Sequence, residues 1–337
     1  MSASDTMRSV KFDARRAFAR RPELFTFALL IALCAYVGIS NPSFLQAATF
    51  YDLARSCVVN GLFALGVLVV LAAGGLDVSF TAIAALAMYA VTKLAVTVFP
   101  DMPLILAFAL ATGLGLGLGL LNGLLVHILR VPSLIVTIGT QYLYRGFLLT
   151  FIGTVWIEQL PPQFDGFGKV ALASAVSDQG ATIILPAFFL ILPVAAVITA
   201  WILRHTLLGR AVFAAGGSNA IAERLGFSLR TINLFVFGFA GALAGLAGII
   251  HTCSNRLSNP SDLVGTEIDV IAAVVLGGAR ITGGSGSVVG TLLGVVLITV
   301  VNNTLILAGV PSTWQRVVVG AFILVAGVLL ARRPSST

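Results

Sequence analysis

Apolar stretches of membrane-spanning length follow one another through most of this sequence. Of the 337 residues, 58% are hydrophobic and only 10% are charged, and a helix needs about 20 consecutive apolar residues to cross a bilayer. The sequence therefore predicts an all-α, polytopic transmembrane bundle that forms a single domain over residues 24–331. Its ten predicted spans, some of them short or broken, are 24–39, 57–74, 79–98, 104–128, 133–152, 181–203, 231–251, 268–282, 287–309 and 314–331.

The basic residues indicate how this bundle is oriented. Six arginine and lysine side chains lie in residues 1–23, and most of the others fall in alternate loops. Cytoplasmic loops of membrane proteins carry such an excess of positive charge, so we expect both termini in the cytoplasm. Residues 1–23 are then a cytoplasmic segment that begins an uncleaved signal anchor, and 332–337 are a tail. The longest cytoplasmic connection is 204–230, and the longest outer loop, 153–180, is predicted to be an ordered cap or short surface helix.

The stretch 265–294 departs from this simple pattern. Glu267 and Asp269 lead into an apolar run that ends at Gly277 and Gly278, and a second glycine-rich turn follows at once. A short, glycine-interrupted segment in a membrane protein can place its backbone and polar groups along a cavity. A tight hairpin of small residues with no ligand role explains the same pattern. Residues 67–78 show the same order of apolar run, paired glycines and polar turn. A weak internal repeat explains this similarity, and so does chance.

Polar side chains inside the other apolar runs are candidates for a translocation pathway. Asp77 and Ser79 follow the first glycine pair, where they either line a polar route or cap the helix that begins there. Amides suit hydroxyl-rich solutes but also join helices to one another. Arg145 is expected to pair with a carboxylate or to reach an interface. The amides that lie in or beside apolar runs are Asn60, Asn122, Gln141, Asn302 and Asn303.

Motifs of phosphate-binding, hydrolase and metal sites are missing from the sequence. It contains no phosphate-binding GxxxxGK[ST] loop, no GxSxG or HExxH motif, no CxxC pair and no cysteine–histidine constellation typical of a metal or hydrolase site. We therefore expect no catalytic site, no metal site and no cofactor. If ATP drives transport, another chain must bind it.

Several motifs, in order, resemble the permease subunits of bacterial ribose-type ABC importers. Residues 74–79 read GGLDVS, 121–123 read LNG, and 131–140 contain the VPS and TIGT elements of that family. The stretch 272–286 matches the family's A-A-V-V-L-G-G and G-G-x-G signature. The resemblance covers roughly residues 60–330.

This resemblance implies a permease of the inner membrane that works as a dimer with a second copy or a paralogue. Its other partners would be an ATPase subunit and a periplasmic sugar-binding protein, with no nucleic acid. Asp77, Ser79, Asn60, Asn122, Glu267, Asp269 and Asn302 would lie near the pathway. The ATPase would dock on Arg210, Gly216, Gly217, Asn219 and Glu223.

Two other functions are consistent with the residues themselves. One is a secondary transporter or channel that works without ATP and uses buried carboxylates such as Asp77 or Asp269 for ion coupling. The other is a branched-chain amino acid permease of the same broad superfamily.

The expected solute is a monosaccharide or a related polyhydroxylated compound, such as a polyol or autoinducer 2. The stretch 156–161 resembles the autoinducer 2 and rhamnose-like permeases.

Overall fold

The fold is built almost entirely from helices. The computed structural model describes residues 22–176, 180, 182–304, 314, 317–321 and 324. The twelve α-helices of the continuous described ranges are α1 Pro22–Ser40, α2 Ala47–Ala72, α3 Phe80–Thr97, α4 Leu104–Leu129, α5 Ser133–Phe147, α6 Pro162–Lys169, α7 Ile191–His205, α8 Leu207–Gly217, α9 Asn219–Arg224, α10 Leu229–Asn255, α11 Glu267–Leu276 and α12 Val288–Thr304.

Six helical segments in this part of the chain are long and apolar enough to cross a membrane. They are 23–40, 47–72, 80–97, 104–129, 187–205 and 229–255. The prediction of a helical membrane protein is therefore confirmed. The predicted span 133–152 is α5 followed by a π-helical turn, Leu148–Ile152. Most of the predicted span 314–331 lies outside the described residues, as do residues 1–21 and the tail 332–337.

The structure corrects two details of the sequence prediction. An antiparallel hairpin of β1 Ala171–Val176 and β2 Thr182–Pro186 occupies the end of the predicted outer loop and the start of the predicted span 181–203. β-branched residues such as Ile183 and Ile184 favour a strand there. The predicted span 268–282 ends as a helix at Leu276, because Gly278 adopts a φ of 94° and terminates it.

Helix α10 is the centre of the bundle and packs against α2, α3 and α4. Its closest approach is to α4, where backbone meets backbone at three glycines one turn apart. A Cβ atom at Gly115, Gly119 or Gly123 would collide with a carbonyl oxygen of α10. Small residues at this spacing let membrane helices approach closely. This contact holds α4, and hence its polar residue Asn122, against the core.

The two ends of the bundle are built differently. At one end, Ile157 and Ser258 form a bridge, and Arg55 donates a 2.6 Å hydrogen bond to the carbonyl oxygen of Ser254. At the other end lie the C-terminus of α2 and the short helices α8 and α9. Thr206 and Ser218 cap these two helices by accepting hydrogen bonds from backbone amides. α2 connects the two ends, since its 26 residues rise about 39 Å.

Candidate functional site

A non-helical segment between α2 and α3 lies inside the bundle. α2 ends at Ala72, and Gly74 follows with a φ of 81°. Residues 75–78, here called the extended segment, then lead to α3 without helix or strand. Ser133 Oγ accepts a 2.8 Å hydrogen bond from the amide of Leu76. Thr137 Oγ1 lies 3.4 Å from the amide nitrogen of Val78, from which it accepts a hydrogen bond. Backbone at membrane depth needs partners within the protein, and α5 supplies them here.

Asp77 begins a buried chain of polar side chains. Its Oδ1 accepts hydrogen bonds of 2.7 Å from both the amide and the hydroxyl of Ser79. The Ser79 hydroxyl accepts a 2.7 Å bond from Asn122, whose Oδ1 accepts a 2.9 Å bond from the Tyr144 hydroxyl. Asp77 is 1% exposed, and its Oδ2 has no partner among the described residues. The network joins α4 and α5 to the extended segment.

The helix-capping alternative for these residues takes an unexpected form. Ser79 occupies the N-cap position of α3, but its side chain makes no capping hydrogen bond. The Asp77 carboxylate instead accepts the bond from the Ser79 amide. The pair therefore fixes the turn into α3, with Asp77 as the acceptor.

Glu267 is the second buried carboxylate that the sequence singled out. It begins α11 and is 8% exposed. Its Oε1 accepts hydrogen bonds from the Thr81 hydroxyl and, at 2.8 Å, from the Gln141 amide. Three helices, α3, α5 and α11, thus meet at one carboxylate oxygen.

The other predicted pathway residues are less closely joined. Asn302 on α12 donates a 3.3 Å hydrogen bond to Asp269 on α11. Asn303 donates a 3.0 Å bond to Ser56, which links α12 to α2. Asn60 is half-buried on α2.

Three glycine motifs that are far apart in the sequence meet at one end of the bundle. We call residues 72–75, 216–217 and 283–284 the glycine junction. The amide of Gly284 donates a 3.0 Å hydrogen bond to the carbonyl oxygen of Ala72. A Cβ atom on Gly216 would overlap both of these groups, and one on Gly283 would overlap the backbone of Gly74. The end of α8 is therefore in direct backbone contact with both glycine turns.

The two glycine pairs also share one backbone geometry. The amides of Gly74 and Gly75 bond to the carbonyls three and five residues earlier, and Gly278 and Ala279 repeat this pattern at the end of α11. This pair of hydrogen bonds is the Schellman motif, which requires a residue with positive φ. The two segments that look similar in sequence thus end their helices in the same way.

A cavity of about 760 Å³ opens beside the glycine junction. Asn219 and Glu223 of α9 line one side, and Ser133 at the start of α5 lines another. Of the other residues predicted to contact an ATPase, Arg210 and Gly217 are exposed. The basic side chains in the wall of the cavity are His127, Arg130 and Arg230.

Some residues of these networks were missing from the predicted site. Thr81 and Tyr144 complete the hydrogen bonds of Glu267 and Asn122, yet each is an ordinary helix residue in the sequence. Ser133 and Thr137 were noted only as members of the VPS and TIGT motifs. Their spacing of four residues, continued by Gln141, is the signal that places them on one face of α5.

Comparisons with known proteins agree with these features. The family described as "Branched-chain amino acid transport system / permease component" matches residues 49–327. The ribose import permease protein of Bacillus subtilis (strain 168) is 38% identical, over 93% of this chain and 94% of that protein.

Two further relatives cover most of the chain. The autoinducer 2 import system permease protein of Enterobacter sp. (strain 638) is 33% identical, over 94% of this chain and 88% of that protein. The ribose import permease protein of Haemophilus influenzae is 32% identical, over 89% and 90% respectively. No solved structure matches the chain.

The match reaches from α2 to the last described residues, and the relatives are covered almost completely. With its apolar helices, the chain is a multi-pass protein of the inner membrane. The chain therefore belongs to this family of membrane-embedded permease components.

Proposed function

We propose that this chain is the permease subunit of an ABC importer for a monosaccharide or a related polyhydroxylated solute. The observation that carries the proposal is the 38% identity to a ribose import permease along almost the whole of both chains. The buried network of hydroxyl, amide and carboxylate groups supports it, since such groups suit a hydroxyl-rich solute. The pathway passes Asp77, Ser79, Asn60, Asn122, Glu267, Asp269 and Asn302.

The proposed topology has ten spans with both termini in the cytoplasm. Residues 24–331 form one permease domain between a cytoplasmic segment, 1–23, and a tail, 332–337. The arrangement of the two bundle ends supports this topology. Arg130, Arg204 and Arg210 lie at or next to the end that carries the glycine junction, and cytoplasmic ends are rich in positive charge.

The segment 204–230 is the proposed coupling element for a partner ATPase, which binds the ATP. Its contact residues are Arg210, Gly216, Gly217, Asn219 and Glu223. The exposed face of α9 offers Asn219 and Glu223 for docking. Gly216 transmits the movement, because it touches Ala72 and Gly284 without an intervening side chain.

Two further partners belong to this proposal. A periplasmic sugar-binding protein delivers the solute to the end of the bundle that carries the β-hairpin. A second permease, identical or paralogous, completes the pathway. The open face of α4 supports a helix partner, because a Cβ atom at Gly113 or Gly117 would meet nothing within 4 Å.

The alternative functions have weaker support. The family description names branched-chain amino acids, whereas the full-length relatives are named for ribose and autoinducer 2. No observation on the described residues favours transport without ATP. Both alternatives remain as outcomes of the experiment.

The deciding experiment is uptake into proteoliposomes. The chain is reconstituted alone, and then with its ATPase and binding protein, and is offered labelled pentoses, 6-deoxyhexoses, polyols and leucine. We expect sugar uptake only with both partners and ATP. Uptake by the chain alone would contradict the ABC proposal, and uptake of leucine alone would contradict the solute class.

A further inference from the structure

One face of α5 carries a polar side chain at every fourth position. Ser133, Thr137, Gln141 and Arg145 follow one another at this spacing, which places them in a row along the helix. Ser133 lines the cavity beside the glycine junction. The row therefore leads from that cavity into the bundle.

The first three members of the row are all engaged by neighbouring elements. Ser133 and Thr137 bond to the extended segment between α2 and α3. Gln141 donates to Oε1 of Glu267 at 2.8 Å. The fourth member, Arg145, is different.

Arg145 holds two enclosed nitrogen atoms that lack hydrogen-bond partners. Its Nε and Nη2 are shielded from solvent, and neither is bonded to any residue that the structure describes. A guanidinium group is always charged and presents five donors in a fixed plane. Leaving such donors enclosed and unpaired is costly. Arg145 does not simply reach an interface, since these two atoms lie inside the protein.

Glu267 has the complementary spare group. Both of its protein donors, Thr81 and Gln141, use Oε1. Within the described part of the chain, Oε2 accepts no hydrogen bond. Gln141 contacts this carboxylate, and Arg145 lies one helical turn further along the same face, a rise of about 6 Å. Unpaired donors and an unpaired acceptor thus occupy neighbouring levels of the bundle. Because the two Arg145 nitrogens are closed off from solvent in this conformation, a solute reaches them only when the helices move apart during transport.

We propose that Arg145, with Gln141 and Glu267, forms a solute-contact site for adjacent hydroxyl groups of an uncharged sugar. A hydroxyl group donates one hydrogen bond and accepts others, so one hydroxyl can donate to Oε2 of Glu267 while its neighbour accepts from the Arg145 guanidinium. The positive and negative side chains balance each other, which suits a neutral solute. This inference rests on the proposed function, which supplies the class of solute.

Arg145 therefore holds the solute during passage rather than supporting the fold. Its removal should lower the sugar moved per ATP hydrolysed while the ATPase still responds to the loaded binding protein. A defect in folding or assembly would instead lower ATP hydrolysis and uptake together.

The test measures sugar uptake and ATP hydrolysis in the same proteoliposomes, with the full complex. The probe is labelled D-ribose, or the sugar of the panel that wild type takes up fastest. The variants are Arg145→Gln, Arg145→Lys and Glu267→Gln. Tyr142→Phe is the control, because Tyr142 is 73% exposed on another face of α5.

We expect the uptake per ATP to fall about tenfold in Arg145→Gln and Glu267→Gln, as lost charge-assisted hydrogen bonds imply. Arg145→Lys should be intermediate, because lysine keeps the charge but loses the planar fork. If Arg145→Gln does not assemble, the sugar uptake per ATP hydrolysed by Arg145→Lys decides the test.

Unchanged ratios in the Arg145 variants would overturn the inference and leave the proposed function intact. If the wild-type complex takes up no sugar of the panel, the proposed function fails and the inference falls with it.

Discussion

The backbone amide of Gly284 donates a 3.0 Å hydrogen bond to the carbonyl oxygen of Ala72. These residues belong to two glycine turns more than 200 positions apart, and Gly216 at the end of α8 fits against both. No side chain separates the three segments at this point. A displacement of α8 therefore acts directly on the end of α2 and on the turn after α11.

Gly216→Ala should destabilise the glycine junction. The added methyl group would overlap the Ala72 carbonyl and the Gly284 amide, and overpacking of this kind costs about 1–3 kcal/mol. The measurement is thermal unfolding of the purified permease in detergent. Gly217→Ala is the matched control, since a Cβ atom there meets nothing within 4 Å. Equal melting temperatures for the two variants would mean that the junction is not tightly packed.

Ser133→Ala combined with Thr137→Val should loosen the extended segment between α2 and α3. The amides of Leu76 and Val78 would lose their hydrogen-bond acceptors at part-buried positions. An unsatisfied buried group costs about 1–3 kcal/mol, so each of these part-buried amides should cost less than that. Hydrogen exchange at these two amides should accelerate, and the melting temperature should fall.

Thr97→Val is the control for this pair. Its hydroxyl bonds to the carbonyl of Lys93 one turn earlier, at an exposed position. An equal loss of stability in the control and in the double variant would show that the α5 hydroxyls do not hold the segment.

The residue types alone identified part of the candidate site. Asp77, Asn122 and Glu267 are polar residues within or beside apolar runs, and such residues rarely face lipid. Thr81 and Tyr144 could not be found this way, because their importance depends on which helix packs beside them. The same limit applies to the glycine junction, since its three motifs are adjacent only after folding.

The fold was predictable where apolar length decides it and less so where local turns decide it. α4 and α10 agree with their predicted spans to within a few residues. The β-hairpin was missed because its apolar strand 182–186 continues directly into a membrane-spanning helix. The sequence therefore shows one uninterrupted apolar run, and its hydrophobic periodicity does not reveal where the strand ends and the helix begins.

Asp77→Asn should preserve both folding and transport. The asparagine Oδ1 can accept the two hydrogen bonds that Ser79 donates to Asp77, and Oδ2 has no described partner to lose. We expect sugar uptake by the full complex to stay within about twofold of wild type, whereas Asp77→Ala should lose about tenfold with its acceptor.

This pair of variants also separates the two transport mechanisms. An ion-coupled transporter needs the carboxylate to bind its ion, so Asp77→Asn would abolish uptake by a protein that still folds. That result, together with uptake by the wild-type chain in the absence of ATP, would contradict the proposed ATP-driven mechanism.

Gly119 and Gly117 lie two positions apart on α4, yet substitution should affect them in opposite ways. A Cβ atom at Gly119 would collide with the carbonyl oxygen of Phe237 on α10, whereas one at Gly117 meets nothing within 4 Å. Gly119→Ala should therefore push α4 from α10, at a cost of about 1–3 kcal/mol. Because Asn122 lies on the next turn of α4, the same shift should break its 2.7 Å hydrogen bond to Ser79.

The measurement compares thermal unfolding of the two alanine variants in detergent, followed by uptake with the full complex. Gly117→Ala should unfold at the wild-type temperature, because alanine also favours the helix over glycine. Gly119→Ala should lose both stability and uptake. If Gly117→Ala retains stability but loses uptake, its open face contacts a partner such as the second permease. If Gly119→Ala behaves like wild type, α4 and α10 are not held by backbone contact, and the position of Asn122 must be fixed by its own hydrogen bonds.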